Sequence, residues 1–289
     1  MKYILTADWH IRDTTPRCRT DNYWMKQWNK INQVLQIAQE EDAVVLIAGD
    51  VFDKPRVSNQ TIEKFMSVLR TYSDVLVLAI AGNHDLPGHN LDNLHRSAIG
   101  IMFQSGLIGT QSTVFNNIID LVHFGEEIPN EGNILVYHEL MWYKKRPFPG
   151  APETGNAKTF FKKHKKHYDL ILTGDNHQQF ELYDDDCLMI NPGPIMRMSA
   201  DQWDFKPAVY LYDSEDGSFD IIELEVQDGV VQRDHIEEKK DKENRSKAFI
   251  KRMKDTDMEM DFVQNMSNYI AANKINKKTE DIIWEVIDE

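Results

Sequence analysis

The chain has 289 residues, 41% of them apolar and 10% aromatic, and a formal net charge of −14 at pH 7. That composition supports a real core, while the acidity argues against indiscriminate nucleic-acid binding, which needs local cations to meet phosphates. Cys18 and Cys187 lie far apart with no C-x-x-C, which argues against a disulfide framework or a zinc finger and suits a reducing cytosol.

KYILTAD (2–8) reads as the first strand, and residues 21–40 carry helical periodicity through Trp24, Trp28, Ile31, Val34, Leu35 and Ala38. AVVLIAG (43–49) is a continuous apolar run of the kind buried on both faces. Ser58 is placed to cap a second helix with Ile62, Phe65, Met66 and Leu69 on one face. DVLVLAIAG (74–82) is a third buried strand. This βαβαβ opening predicts an α/β core.

Further on, VFNNIIDLVHFG, NILVYHEL, LILTG and CLMINPGP read as strands, with a Pro/Gly-containing loop at 146–157. PAVYLYDSEDGSFDIIELEV reads as a hairpin turning at Asp216-Gly217. Residues 1–226 are thus expected to form one domain. Residues 227–289 are charged and mainly helical, with Phe249, Met253, Phe262, Met266, Tyr269 and Ile270 spaced for an amphipathic helical hairpin. That segment either docks on the parent domain or receives a partner. No run reaches the ~20 apolar residues of a membrane span, and the N-terminus turns polar too early for a signal peptide.

The chemistry sits where the strands run out. Those ends carry Asp8 and His10, Asp50, Asn83 with His84 and Asp85, His138, and Asp175 with His177. In open α/β sheets ligands bind at the carboxyl ends of strands. Hard oxygen and imidazole donors without thiolate suit Mn²⁺, Mg²⁺, Fe or Zn²⁺. The remaining histidines, His89, His95, His123, His164, His167 and His235, read as structural or exposed. Asp53 could orient a ligand or make a turn.

Asp8-x-His10, Gly49-Asp50, Gly82-Asn83-His84-Asp85, His138 and Gly174-x-x-His177 resemble the motif series of the calcineurin-like metallophosphoesterases. The resemblance implies a sandwich of two mixed β-sheets flanked by helices, here with a short helical C-terminal segment, and a two-metal phosphoesterase site. Within that superfamily GDVFDKPRVS (49–58), GNHDLPG (82–88) and NPGPIMRM (191–198) look most like SbcD-type DNA repair nucleases. The shortness and acidity of the chain suggest a compact, phage-type or minimal relative of these. By that resemblance Asp8, His10 and His177 hold one cation, Asn83, His138 and the residue at 175 the other, and Asp50 bridges. His84 would serve the leaving oxygen, and Asp85 would orient His84. The implied compartment is the cytoplasm, or a host's cytoplasm for a phage protein.

One position departs from the pattern: the family's Gly-His-x-His is Gly174-Asp175-Asn176-His177 here. Two divalent cations against ionised Asp8, Asp50 and Asp175 leave the site net positive, so the expectation is two ions with a harder second position, Mn²⁺ or Mg²⁺ over Zn²⁺. Residues 144–166 carry eight Lys/Arg and a single acid, Glu153. Lys144, Lys145, Arg146, Lys162 and Lys163, interleaved with Trp142, Tyr143, Phe148, Phe160 and Phe161, suit a surface that tracks a nucleic-acid backbone and stacks bases. The leading expectation is a metal-dependent deoxyribonuclease of DNA repair or recombination, partnered by an SbcC-type coiled-coil ATPase and able to form a homodimer. The alternatives are a small-nucleotide phosphatase or phosphodiesterase, and a non-catalytic metal-binding interaction protein.

Overall fold

The computed structural model describes residues 1–110, 113–114, 117–144, 146, 155–232, 245–246 and 262–288. These fall in two units, Met1–Arg233 and Asp234–Glu289. The first unit opens with β1 (Lys2–Thr6), α1 (Tyr23–Glu40), β2 (Val44–Ile47), α2 (Asn59–Thr71), β3 (Val77–Ala79) and α3 (Ala98–Gln104). It continues through β4 (Thr113–Val114), β5 (Asn117–Val122), β6 (Ile134–His138), α4 (Ala157–His164) and β7 (Leu170–Gly174). It closes with β8 (Phe180–Tyr183), β9 (Leu188–Asn191), β10 (Ala208–Asp213) and β11 (Phe219–Glu223).

Two sheets result. One has the order β11-β10-β1-β2-β3, and the other β4-β5-β6-β7-β9-β8. β1, β2 and β3 are parallel, with β10 antiparallel to β1 and β11 antiparallel to β10. In the second sheet β5, β6, β7 and β9 are parallel, and β4 and β8 are antiparallel at its edges. Both sheets are therefore mixed.

The apolar runs are continuous because both faces of these strands are covered. Val44 and Leu46 turn inward and pack with Leu5, Val136, Leu170 and Leu172 between the sheets. Their neighbours Val45 and Ile47 face outward, into a second cluster with Ile31, Leu35, Phe65 and Met102 from the helices. On the far sheet Leu135, Ile171 and Met189 pack outward against Phe161 of α4. Each fully buried side chain of this kind contributes roughly 1.5–3 kcal/mol. Ser58 caps α2 by accepting from Thr61 N at 3.2 Å, and Asn22 caps α1 by accepting from Met25 N at 3.1 Å.

The hairpin pairs Ala208–Tyr212 with Phe219–Glu223, and Gly217 takes φ 72° in its turn. The short elements α3, α4 and the edge strand β8 escape the sequence reading, and β4, which that reading runs together with β5, pairs antiparallel to it. In the second unit the helices are α5 (Phe262–Ala272) and α6 (Lys277–Asp288), the latter begun by Asn276, whose Oδ1 accepts from Thr279 N at 3.0 Å. Met266, Tyr269 and Ile270 fall on α5, while Phe249 and Met253 lie outside the described residues. Among the described residues no helix is long and apolar enough to cross a membrane.

Candidate metal centre

The strand ends converge. Asp8 follows β1, Asp50 follows β2, Asn83 follows β3, His138 ends β6, and Asp175 and His177 follow β7. The parallel strands of each sheet bring these ends to one place, and backbone hydrogen bonds zip the loops together. Asp8 N donates to Gly49 O at 3.2 Å, His10 N to Asp50 O at 2.9 Å and Ile11 N to Val51 O at 2.9 Å. Asp175 N donates to the Asp8 carboxylate at 3.1 and 3.2 Å, which ties the second sheet's loop to the first.

The backbone is strained where the candidate ligands sit. Asp8, His10, Asp50, Asp175 and His177 have φ of 52°, 44°, 50°, 81° and 51°. Non-glycine residues in this region cost about 1–3 kcal/mol each and persist only where surrounding structure holds them. Gly49 adopts φ 79°, and a Cβ there would stand 2.3 Å from His138 Nδ1. Gly49→Ala is therefore expected to displace His138, lowering bound metal by atomic absorption and lowering Tm. An alanine variant with parental metal content would refute this tight packing.

Two clusters of candidate ligands adjoin, and the carboxylates of Asp8 and Asp50 reach both. In one, ligand atoms of Asp8, His10 and His177 lie within 4.8 Å of one another. There His10 Nε2 faces His177 Nε2 at 2.9 Å and Asp50 Oδ2 at 3.6 Å. In the other, His138 Nδ1 donates to Ala48 O at 2.7 Å, which turns Nε2 toward three oxygens. These are Asn83 Oδ1 at 3.0 Å, Asp50 Oδ2 at 3.4 Å and Asp175 Oδ1 at 3.9 Å. Oxygens gathered around an imidazole nitrogen need a cation among them, a proton or a metal.

Electrostatics agree. Burial pushes the carboxyl groups of Asp8 and Asp175 up. Burial also opposes ionisation of Asp50, but His138 outweighs it and holds this carboxyl low. His138 is pushed up to about 10, since Asp50 overcomes the burial that works against its charge. Burial pushes His10 down to about 3 and lowers His177. Among the described residues no lysine or arginine is ion-paired with Asp8, Asp50 or Asp175. Buried carboxylates without a lysine or arginine partner, beside His10 and His177 kept neutral by burial and a His138 whose proton stands where a metal would bind, fit divalent cations.

Asp85 needs a correction. It is wholly buried and accepts from Val51 N at 3.1 Å, Phe52 N at 2.8 Å and Gly82 N at 3.0 Å. It joins the Asp50 loop to the Asn83 loop and does not orient His84, because those backbone donors take its oxygens. His84 is exposed, its backbone N–H donates to Asp50 Oδ1 at 2.9 Å, and its Nδ1 bonds Asp53 O at 3.0 Å. Asp53 is thus the residue whose part the sequence left open. Its carboxylate holds Arg12 at 3.1 Å and stands 3.9 Å from His10 Nδ1. Its place in GDVFD, three residues beyond Asp50, is the signal.

Of the remaining histidines, His89 Nδ1 bonds Asn83 O at 3.0 Å, His235 lies outside the described residues, and two others serve elsewhere. His123 Nδ1 accepts from Ala81 N at 2.9 Å, and His164 Nδ1 bonds Asn130 Oδ1 at 2.9 Å. In the basic stretch Lys144, Arg146, Lys162 and Lys163 are exposed, while Lys145 and Phe148 lie outside the described residues. Its aromatics are mostly core: Trp142 and Phe161 are buried and Phe160 stacks on Tyr137 at 5.5 Å. Tyr143 differs, since Lys144 and Lys158 stand over its ring at 5.1 and 5.4 Å.

The SbcD component of the SbcCD nuclease of Bacillus subtilis (strain 168) is 30% identical over 150 residues, covering 49% of this chain and 34% of that protein. The chain thus spans about a third of the length of this curated relative. Among solved structures, an archaeal phosphodiesterase is 17% identical with a TM-score of 0.42, covering 78% of this chain and 100% of its own. A dimetal phosphatase from Danio rerio is 12% identical with a TM-score of 0.45, covering 73% and 91%. The model of the calcineurin-like phosphoesterase family matches residues 1–189, the stretch that supplies every candidate ligand described above. The chain belongs to that family of metal-dependent phosphoesterases, whose members work with a pair of divalent cations.

Proposed function

We propose that the protein is a metal-dependent deoxyribonuclease, exo- or endonucleolytic, of DNA repair or recombination. The observation that carries the reading is the convergence of Asp8, His10, Asp50, Asn83, His138, Asp175 and His177 around two positions that share Asp50. Asp8, His10, Asp50 and His177 would hold one cation, and Asp50, Asn83, His138 and Asp175 the other. When bound, such a pair supplies an activated water and charge stabilisation for an in-line displacement at phosphorus. His84 is held by its backbone bond to Asp50 and its ring bond to Asp53, which leaves Nε2 to meet the substrate. It would donate a hydrogen bond or proton to the leaving oxygen. Asp85 keeps the two loops in register, a positioning role.

DNA as substrate, an SbcC-type coiled-coil ATPase as partner and the 227–289 segment as its docking element rest on the likeness to the Bacillus subtilis nuclease. The exposed lysines of 144–163 support the same substrate. The test is a Mn²⁺-dependent assay on end-labelled single- and double-stranded DNA, with bis-p-nitrophenyl phosphate as a small control. Replacing Lys144, Lys162 and Lys163 together by Gln is expected to cut DNA cleavage at least ~tenfold and spare the small diester, since each lost phosphate contact weakens binding to a polyanion. Equal loss on both substrates would point to a general defect. Cleavage of mononucleotides alone would favour the small-nucleotide reading.

For Asp175, crystals soaked with Mn²⁺ are expected to show two anomalous peaks, one beside His10 and His177 and one beside His138 and Asp175. A single peak would mean that the carboxylate at 175 does not replace the missing imidazole.

A further inference from the structure

Away from the metal centre, a cavity of about 150 Å³ lies between α1, residues 195–197 and the residues flanking the β10–β11 hairpin. Its volume is an order of magnitude above the roughly 10–15 Å³ that admits one water. Its lining carries four cations, Arg19, Lys26, Lys30 and Arg197, against two carboxylates, Asp21 and Glu225. In a chain of net charge −14 this local excess of cations runs against the composition.

Asp21 is already taken, for its two oxygens accept from Arg19 Nε at 2.8 Å and Nη2 at 2.6 Å. Lys30 is only 7% exposed, and its ammonium donates to a neutral acceptor, the Glu225 carbonyl oxygen. Arg197 is 6% exposed and donates to two neutral acceptors, Trp203 O at 2.7 Å and Gln227 O. Glu225 is exposed, so its carboxylate is screened by water. Burial pushes Lys30 down to about 8, with Glu225 pulling the other way and Arg197 and Arg19 adding to the fall.

Carbonyl dipoles solvate a buried cation but do not neutralise it, and an uncompensated buried charge is costly. Two such cations reach this cavity from separate elements, one from α1 and one from the segment after β9. A guanidinium fork and an ammonium together form a donor set well matched to a tetrahedral phosphoryl group. We propose that this cavity binds a phosphoryl group, held by Lys30 and Arg197 with the half-buried Lys26 alongside, at a site sharing no residue with the metal centre. The same chemistry is offered by free phosphate and by the phosphate of a nucleotide or a polynucleotide end.

The test is calorimetric titration of the full chain with inorganic phosphate and, separately, with thymidine 5′-monophosphate, together with crystals soaked in tungstate. The expected result is a tungstate peak between Lys30 and Arg197. Lys30→Gln should weaken phosphate binding at that site at least ~tenfold, the loss of one charge-assisted hydrogen bond, and the milder Lys26→Gln by about threefold. Lys26 is less buried, so its variant tests the site even if Lys30→Gln fails to fold. Equal affinity for both ligands assigns the site to free phosphate, and tighter binding of the nucleotide assigns it to a nucleotide or polynucleotide end. Tungstate only at the metal centre, or a Lys26→Gln chain that titrates like its parent, overturns the proposal.

Discussion

Asp50→Asn is expected to lower hydrolysis of bis-p-nitrophenyl phosphate by at least ~1,000-fold and bound metal from two ions per chain to one or none. Asp50 is 1% exposed, and its Oδ2 stands 3.6 Å from His10 Nε2 and 3.4 Å from His138 Nε2. Its carboxylate, like that of Asp8, reaches both clusters of candidate ligands, so its charge counts at both positions. Asparagine keeps the shape and one oxygen but removes that charge. The loss is several kcal/mol of stabilisation, and each ~1.4 kcal/mol is tenfold in rate. Inductively coupled plasma mass spectrometry on the parent and variant chains gives the stoichiometry directly. Two ions per chain with parental turnover would refute the shared role.

His84→Ala and Asp85→Ala, adjacent in the chain, are expected to fail in opposite ways. His84 is exposed and its ring makes one bond to the loop after β2, to Asp53 O, so its variant should keep its metal and most of its Tm. It should lose at least ~100-fold in turnover, the lower end for a positioned proton donor. Asp85 is buried and is the acceptor for three backbone N–H groups, on Val51, Phe52 and Gly82. Deleting the carboxylate leaves those donors unpaired in the interior, at about 1–3 kcal/mol each. Asp85→Ala should therefore lower stability by at least ~3 kcal/mol in urea unfolding. Metal content should fall with it, because the Asp50 and Asn83 loops separate. Asp85→Asn, which retains one acceptor oxygen, should recover part of both. A stable, metal-replete Asp85→Ala chain that had merely lost turnover would restore the idea that Asp85 acts through His84.

The pairing of these two residues shows what a one-dimensional pattern conveys. Adjacent His and Asp suggest a hydrogen-bonded pair, because carboxylates often orient functional imidazoles. In the folded chain the two side chains leave the backbone in different directions. Asp85 turns into the protein to meet the loop after β2, and His84 turns out over the site to meet Asp53 O. Direction is a property of the local backbone and of what packs around it, and neither is written in the order of residues. The aromatics of 142–161 behave alike, since Trp142 and Phe161 look like stacking platforms but are buried, Phe161 in the outer core of the second sheet.

The βαβαβ opening, the cap at Ser58, the turn at Asp216-Gly217 and the candidate ligand types at each strand end were all legible in the order of residues. These features are local: a buried parallel strand must be apolar throughout, a helix start needs an acceptor, and a divalent cation needs hard donors. Folding in three dimensions was needed to set Asp50 between both clusters, to bring Asp175 within 3.9 Å of His138 Nε2, and to let Asp53 join Arg12 to His84. It also placed Lys30 and Arg197, far apart in the chain, on one cavity. Such juxtapositions depend on how two sheets twist and pack across a shared core, a balance of many weak contacts between distant residues that no short stretch of sequence contains.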